Sequence, residues 1–339
     1  MRALLTGITG QDGYYMASLL LKKGIEVIAL VRDVRSAKTA CADLGDCVTL
    51  EKFDFSEVDG VSEVIENTKP DYIFNFAAKS TGRGMFDDPR EMQRINSGFP
   101  MDILHAMLAS DRRTEMRFVQ ASSSEMYGSN DVMPQNETSA FRPISPYGAA
   151  KLYVHNMIGI YRTTHGLHVS SAILFNHESP RRGQDFVTRK IATAVARIAA
   201  GLQDKLHLGN VSSRRDWGYA PEYVEGILRM AEISKADDYV LATGTMHSLT
   251  DVMEIAFGAV GLSYEDYLEV DPALARRVDT KGHLGDASKI AAALGWSAKT
   301  KLPEIIVEMV EAERKKIASA KCAQKDAEPT SLQPNVKLG

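Results

Sequence analysis

Short apolar runs alternate with longer amphipathic stretches along the first half of the chain. The apolar runs predict buried strands at residues 3–5, 26–31, 71–77, 116–121 and 170–175. The amphipathic stretches predict helices at about residues 13–23, 57–68, 94–109 and 187–201. Because short apolar strands that alternate with helices form parallel sheets covered on both faces, we predict an α/β fold with a doubly wound parallel sheet.

The pattern loosens after about residue 170, where segments become shorter and richer in charge. We therefore predict a first domain at residues 1–170, to which later segments return, and a smaller α/β lobe built mainly from residues 171–318. Residues 319–339 lack apolar periodicity and are predicted to be a flexible tail.

Composition and charge exclude several classes of function. Of the 339 residues, 44% are hydrophobic and 25% are charged, and the formal net charge is -4. Because no excess of basic residues attracts polyanions, we expect no nucleic-acid partner. The sequence has no signal-peptide pattern and no apolar run of membrane-spanning length, so we expect a cytoplasmic protein without membrane contact. Its three cysteines lack metal-ligand spacing, and no metal site is predicted.

A glycine-rich turn follows the first predicted strand and opens the first helix. Glycines permit a tight turn and close approach of a ligand, and a helix N-terminus offers free N–H groups to a diphosphate. A glycine triplet alone can serve helix–strand packing, but this position in the chain is typical of a Rossmann-type dinucleotide site. The residues assigned to it are Gly7, Thr9, Gly10, Gln11, Asp12 and Gly13.

The end of the second strand bears on the choice of dinucleotide. Arg32 stands there, and an arginine suits the 2′-phosphate of NADP. The alternative is that Arg32 is a solvated surface charge and that Asp33 binds the ribose of NAD. The sequence favours NADP over NAD. We assign the remaining cofactor contacts at this stage to Asp54, Phe55, Ala77 and Ala78.

The segments 121–128 and 147–151 carry the pattern of an alcohol-oxidising site. Tyr147 and Lys151 are four residues apart, so their side chains share one helical face. We expect the lysine ammonium to lower the pKa of the phenol and to bind the nicotinamide ribose, so that Tyr147 can take a proton from a sugar hydroxyl. Ser123 follows a strand and is expected to hydrogen-bond the same hydroxyl.

Glu125 distinguishes between reactions of this type. A sugar 4-epimerase needs only the hydroxyl-bearing residue and the Tyr147–Lys151 pair. A 4,6-dehydratase also needs a base for the C5 proton and an acid for the departing C6 hydroxyl, and one carboxyl group can do both. The alternative role of Glu125 is to cap its loop.

These residues lie in blocks that resemble GDP-mannose 4,6-dehydratases along nearly the whole chain. The blocks are TGITGQDG, ASSSEMYG, SPYGAAKLY, LFNHESPRRGQDFVTRKI, LGN, RRDWGYAPEYVEG and GDASKIAAALGW. The resemblance implies an NADP-binding Rossmann domain, a lobe that binds a GDP-linked sugar, and catalytic roles for Ser123 (usually Thr), Glu125, Tyr147 and Lys151.

The resemblance also implies further contacts. On the cofactor side these are His177 and Arg182. On the GDP-sugar side they are Asn176, Val187, Lys190, Leu208, Gly209, Arg215 and Arg276, with Asp279 at a position where the family carries Glu. Lys190, Arg215 and Arg276 are cations able to neutralise a diphosphate.

Two departures from the family pattern bear on substrate and assembly. After the fourth strand the family usually has Gln-Ser-His-Val, whereas this chain has Lys79-Ser80-Thr81-Gly82. Ser80 is therefore assigned to substrate binding in a changed pocket, and a GDP-manno-heptose becomes an alternative to GDP-mannose. Asp33 replaces the second of two arginines that often follow the second strand in the family. This replacement weakens the inference of a homotetramer. The assembly we predict is a homodimer formed through the helix of Tyr147.

Two other functions remain open at this point. A nucleotide-sugar 4-epimerase or 4-reductase of the same fold would not require Glu125. A non-catalytic dinucleotide sensor would not require Ser123, Glu125, Tyr147 and Lys151 together.

Overall fold

The computed structural model describes residues 1–55, 60–80, 86–274 and 282–327, with side chains up to residue 322. Its strands are β1 (Arg2–Thr6), β2 (Glu26–Val31), β3 (Val48–Lys52), β4 (Tyr72–Asn75), β5 (Arg117–Ala121), β6 (His168–Leu174), β7 (Asn176–Glu178), β8 (Leu206–Leu208), β9 (Arg214–Tyr219), β10 (Tyr239–Leu241), β11 (Met246–Ser248) and β12 (Leu268–Val270).

The strands are joined mainly by helices. These are α1 (Gln11–Lys22), α2 (Val34–Ala40), α3 (Gly60–Thr68), α4 (Pro89–Gln93), α5 (Phe99–Ala109), α6 (Pro146–His165), α7 (Val187–Ala199), α8 (Ala220–Glu232), α9 (Leu249–Gly258), α10 (Ser288–Leu294) and α11 (Leu302–Ala327). A π-helical turn, Arg94–Gly98, joins α4 to α5.

The large sheet has the strand order β3-β2-β1-β4-β5-β6-β10, and all neighbouring strands are parallel. Its inner strands β1 and β4 are buried almost throughout, because helices cover both faces. The chain crosses from one side of the sheet to the other between β1 and β4, where ligands bind in such folds. The predicted Rossmann-type doubly wound sheet is confirmed.

Two apolar layers cover the sheet. On one face α1 and α8 contribute Leu20 and Ile227, and on the other face α5 and α6 contribute Leu104 and Ile158. Each of these side chains is almost fully buried. Helix α6 thereby presents its first turn to the carboxyl edge of the sheet.

A third apolar cluster lies away from the large sheet. Val195 of α7, Phe257 of α9 and Met309 of α11 belong to it. Two small sheets accompany these helices, with the orders β11-β9-β7 and β12-β8. This part of the chain faces the carboxyl edge of the large sheet across a cavity of about 480 Å³.

A later segment, β10, returns to the large sheet, and residue 170, the predicted end of the first domain, lies within β6. Two further details differ from the sequence predictions. The predicted helix at 94–109 is preceded by α4, which begins at Pro89 after Asp88 caps it. Residues 319–327, predicted as tail, continue α11 because Ala, Lys and Gln favour a helix even without an apolar face. The rest of that segment lies outside the described residues.

None of the described helices combines the length and the apolar character that a membrane span needs. In the same part of the chain, His, Cys, Asp and Glu side chains do not gather in groups of three or more that could hold a metal ion.

Candidate active site

The glycine-rich turn between β1 and α1 brings backbone against backbone at the crossing point of the sheet. Gly7 has a φ of +75°, and a Cβ there would lie 2.7 Å from the carbonyl carbon of Phe76. A Cβ on Gly13 would lie 2.3 Å from the carbonyl oxygen of Gly7. Gly10 caps α1 without a side-chain hydrogen bond. The first N–H groups of α1 therefore face an open cradle, which fits the diphosphate of a dinucleotide.

Two polar side chains join this cradle to β7. Gln11 Nε2 donates to the carbonyl oxygen of His177 at 2.8 Å, and Gln11 Oε1 accepts from the Ser179 hydroxyl at 2.8 Å. Asp12 Oδ1 lies 2.9 Å from His177 Nε2. The side chain of Gln11 is thus occupied by the protein, and only its backbone is left for the predicted cofactor contact.

The predicted Ser–Tyr–Lys arrangement is assembled from β5 and α6. Ser123 follows β5 and is hydrogen-bonded to the hydroxyl of Tyr147. Lys151 Nζ lies 5.7 Å from the centroid of the Tyr147 ring and donates to the carbonyl oxygen of Ala121 at 2.7 Å. Ser145 caps α6 by accepting from the amide of Gly148, which sets the start of the helix and hence the position of Tyr147.

Glu125 lies in the same cavity as these three side chains. Its amide donates to Ser123 Oγ at 3.2 Å, so Ser123 caps the short 3₁₀ turn Ser124–Met126. The side chain that caps this turn is thus Ser123, and Glu125 lines the cavity.

The pKa of Tyr147 differs from the expectation. Burial raises it to about 12, the hydrogen bond to Ser123 lowers it in part, and the charge of Glu125 raises it further. The net shift of the Tyr147 pKa is therefore upward rather than downward, and Lys151 is not among the groups that act most strongly on it. Burial also lowers the pKa of Lys151 to about 8, although the Asp12 carboxylate acts in the opposite direction.

The segment after β7 carries a second charged cluster against the cavity. Arg182 Nε lies 3.2 Å from Glu178 Oε2, and the guanidinium packs 3.6 Å from the centroid of the Phe186 ring. Thr188 donates its hydroxyl proton to Glu178 at 2.5 Å. Burial raises the pKa of Glu178, while the charge of Arg182 lowers it in part. These contacts hold Arg182 in the cavity that the predicted catalytic residues also line.

The predicted substrate residues that the structure describes also line the cavity. They are Ser80, Ser123, Glu125, Asn176, Val187, Lys190, Leu208, Gly209 and Arg215. Val187 opens α7, whose N-cap residue, Phe186, makes no side-chain capping bond. The first N–H groups of α7 and the cation of Lys190 therefore suit an anionic ligand. The predicted contacts Arg276 and Asp279 lie outside the described residues, as do Thr81 and Gly82.

The predicted adenine end lies beside the cavity, at the carboxyl ends of β2 and β3. Arg32 and Asp54 follow strands that are paired in register at Val31 and Lys52, so the two positions are neighbours. Arg32 is exposed. Phe55 packs against other aromatic rings, 4.9 Å from the Phe99 ring, and belongs to the apolar layer on this face of the sheet. Of the other predicted cofactor residues, Asp12, Ala78, His177 and Arg182 line the cavity.

Glu178 is absent from the site predicted from the sequence, yet it is 1% exposed and lies in the cavity wall between His177 and Arg182. Its spacing of four residues to Arg182 was the available signal. This spacing has little weight in sequence alone because the segment is not helical.

Comparison with known proteins agrees with this geometry. The family model described as GDP-mannose 4,6 dehydratase matches residues 4–309. GDP-mannose 4,6 dehydratase 1 of Arabidopsis thaliana is 39% identical over 322 residues, which cover 91% of this chain and 88% of that protein.

Solved structures show the same fold at lower identity. The UDP-glucose 4-epimerase of Thermus thermophilus, in complex with NAD, has a TM-score of 0.80 at 24% identity and covers 93% of this chain and 99% of its own. RMD of Pseudomonas aeruginosa, complexed with NADPH, has a TM-score of 0.77 at 20% identity with the same two coverages.

The doubly wound sheet, the glycine cradle and the Ser123–Tyr147–Lys151 arrangement define an enzyme of the short-chain dehydrogenase/reductase class, in its extended form with a second lobe. Within that class, the family match over residues 4–309 identifies the group. The chain belongs to the GDP-mannose 4,6-dehydratase family.

Proposed function

We propose that the protein is a GDP-sugar 4,6-dehydratase, a hydro-lyase that converts a GDP-linked mannose-type sugar into the 4-keto-6-deoxy sugar. The observation that carries this proposal is that Glu125 lines the same cavity as Ser123, Tyr147 and Lys151. Oxidation at C4 alone needs the last three residues, whereas elimination of water needs the additional acid–base group. Membership of the family supports the same reaction.

The side chains divide the chemistry between them. A nicotinamide cofactor held by the glycine cradle and Lys151 would supply the acceptor for the C4 hydride and the donor for its later return to C6. Tyr147 takes the proton of the C4 hydroxyl, which Ser123 orients. The C4 ketone acidifies the C5 proton, so Glu125 can remove that proton and deliver it to the C6 hydroxyl as it leaves as water. When hydride adds to C6, a proton must return to C5, and the Tyr147 phenol, which took up the C4 hydroxyl proton, can supply it. Tyr147 and Glu125 thus end the cycle in their starting protonation states, with no net oxidation or reduction.

We infer NADP rather than NAD as the cofactor. Arg32 is exposed at the end of β2, where a 2′-phosphate would lie. The neighbouring Asp33, the candidate for the ribose of NAD, accepts from the amide of Ser36 at 2.7 Å as the N-cap of α2. Asp33 is therefore engaged in capping, which leaves Arg32 as the better partner for this end of the cofactor.

The sugar is either mannose or a manno-heptose. Ser80 lines the cavity, and the preceding residue Lys79 forms an ion pair with Glu91 of α4. This segment departs from the usual family sequence, so it is the part of the pocket where a seventh carbon would be accommodated.

The direct test is incubation of the purified protein with GDP-mannose and, separately, with GDP-manno-heptose, followed by mass spectrometry. Loss of one water from one of the two, without consumption of added NADPH, is the expected result and identifies the sugar. Unchanged mass with both, while dinucleotide is bound, would contradict the proposal. Unchanged mass accompanied by conversion to a stereoisomer on chromatography would identify a 4-epimerase instead.

A homodimer is the proposed assembly. Tyr153 and Ile160 of α6 are 49% and 47% exposed, and with Met157 they follow a spacing of four and three residues along one helical face. An apolar stripe of this kind suits a second copy of the same helix. Light scattering after size-exclusion chromatography should give a dimer, and Ile160→Glu should give a monomer. A tetramer, the other assembly considered, would appear as twice the dimer mass, and a monomeric wild-type protein would contradict the proposal.

A further inference from the structure

Both ring nitrogens of His177 face hydrogen-bond acceptors. Nδ1 lies 2.7 Å from the carbonyl oxygen of Phe175, and Nε2 lies 2.9 Å from Oδ1 of Asp12. A carbonyl oxygen can only accept, and an ionised carboxylate oxygen can only accept. If Asp12 is ionised, both nitrogens of His177 therefore carry protons and the ring is an imidazolium.

The surroundings of the pair favour this charge distribution. Burial favours the neutral form of both groups, yet the attraction between them lowers the pKa of Asp12 and raises that of His177. The His177 ring stacks on Tyr223 with the centroids 4.7 Å apart and 23° between the planes, which suits a cation over an aromatic face. The hydrogen bond from Gln11 to the His177 carbonyl fixes the backbone beneath the ring.

Asp12 occupies a position where a lone carboxylate would be unfavourable for a dinucleotide. It is the second residue of α1, whose N-terminal N–H groups face the glycine cradle. A carboxylate there repels an incoming diphosphate. Five further charged or titratable groups interact electrostatically with Asp12 or His177. They are Arg182, Lys151, Glu178, Tyr147 and Tyr15. Among the described contacts, the side chains that bond Asp12 are those of His177 and the neighbouring Gln11.

We propose that Asp12 and His177 act as one buried carboxylate–imidazolium pair, in which the permanent positive charge of His177 cancels the negative charge of Asp12 and so allows the cofactor diphosphate to dock on α1. Asp12 is a positioning residue in this arrangement: it holds the imidazole ring in place and keeps it protonated. The effect on cofactor binding rests on the proposed nicotinamide cofactor. The charge state of Asp12 and His177 does not depend on it.

The state of the pair can be measured without cofactor or substrate. In histidine-labelled protein, long-range ¹H–¹⁵N correlation spectra should show both ring nitrogens of His177 protonated at pH 7. A single protonated nitrogen on His177 at pH 7 would overturn the proposal. This experiment uses the wild-type protein and does not depend on the folding of a variant.

The consequence can be measured as dinucleotide affinity by NADPH fluorescence. His177→Gln keeps a donor near Asp12 but removes the charge, and should weaken binding roughly tenfold or more. Adding Asp12→Asn should restore affinity to within about threefold of the wild type, because no carboxylate then faces the diphosphate.

Two outcomes separate this inference from the proposed function. If the double variant binds as weakly as His177→Gln or more weakly, His177 acts by touching the cofactor and the charge-cancelling role is wrong. If the wild-type protein binds neither NADPH nor NADH, the proposed cofactor fails, and the spectra of His177 still decide whether the pair exists as described.

Discussion

A Cβ atom on Gly148 would lie 2.5 Å from the carbonyl oxygen of Glu125. Gly148 is in the first turn of α6, directly after Tyr147, and Glu125 lies in the turn that follows β5. The absence of a side chain at Gly148 therefore lets the helix that carries Tyr147 touch the turn that carries the proposed acid–base group. The distance between the two catalytic segments is set by this backbone contact.

Gly148→Ala should therefore impair catalysis more than cofactor binding. The added methyl group must push the Glu125 turn away from α6, and displacements on the order of 1 Å can cost roughly 100-fold in rate. We expect kcat to fall by roughly 10- to 100-fold, while dinucleotide affinity changes little. Steady-state kinetics and NADPH titration measure the two effects separately.

Gly159→Ala is the matched control in the same helix. A Cβ at Gly159 would meet nothing within 4 Å, so alanine should leave kcat unchanged and stabilise the helix by roughly 0.5–1 kcal/mol. Equal kinetics for Gly148→Ala, Gly159→Ala and the wild type would show that the contact at Gly148 does not position Glu125.

Glu125→Gln should stop dehydration and spare cofactor binding. The amide keeps the size of the side chain but cannot remove the C5 proton, so kcat for water loss should fall by roughly 10²- to 10⁴-fold. Incorporation of solvent deuterium at C5 of the product should vanish with it. Glu115→Gln, at an exposed carboxylate paired with Arg112, serves as the control. Full activity in Glu125→Gln would move the function to epimerisation or reduction, which need no such base.

Lys151→Met should give an inactive but more stable protein. Lys151 is 2% exposed, and burial holds its pKa at about 8, below the usual value of 10.5. Its burial in the charged form therefore opposes folding at pH 7. Removing the charge should raise the free energy of unfolding by roughly 1–2 kcal/mol, after allowance for the lost hydrogen bond to Ala121.

The pH dependence of stability tests whether Lys151 is buried in its charged form. Between about pH 8 and 10.5 the unfolded chain binds more protons at this residue than the folded protein does, so its contribution to wild-type stability rises with pH through that window. The advantage of Lys151→Met in thermal unfolding should be full at pH 7 and should narrow by pH 10. A variant that is less stable at pH 7, or whose advantage does not change with pH, would contradict the account.

Arg32→Ala and Asp33→Asn should distinguish the two cofactors. If NADP is the cofactor, Arg32→Ala should weaken NADP binding by roughly tenfold or more and leave NAD binding nearly unchanged. Asp33→Asn retains an N-cap of similar quality for α2 and removes the carboxylate, so it should have little effect on NADP. The reverse result, in which Asp33→Asn loses NAD and Arg32→Ala loses nothing, would assign NAD.

The large sheet could be predicted from the sequence because its strands are buried on both faces and appear as apolar runs such as Glu26–Val31. The glycine cradle and the Tyr147–Lys151 spacing could also be predicted, since both depend on residues close together in the chain. The extent of α11 could not, because its last turns are exposed and depend on helix propensity rather than on an apolar face.

The electrostatics of the site were the least predictable part. The sequence suggests a Tyr147 phenol made acidic by Lys151, but the pKa depends on burial created by segments far apart in the chain. Glu178 was missed for the same reason, since its pairing with Arg182 and Thr188 appears only when α7 packs behind it. Burial of an ionisable side chain by distant segments produces no periodic pattern in the sequence, so it could not be predicted there.

The side chain of Gln11 links the dinucleotide motif to a segment that is distant in the sequence. It is hydrogen-bonded both to the His177 carbonyl and to the Ser179 hydroxyl, so the first turn of α1 is held against residues 177–179. A chimeric enzyme would keep these two bonds wherever both parents carry the glutamine and the serine. It should lose them, and with them dinucleotide affinity, where either parent lacks one of the two residues.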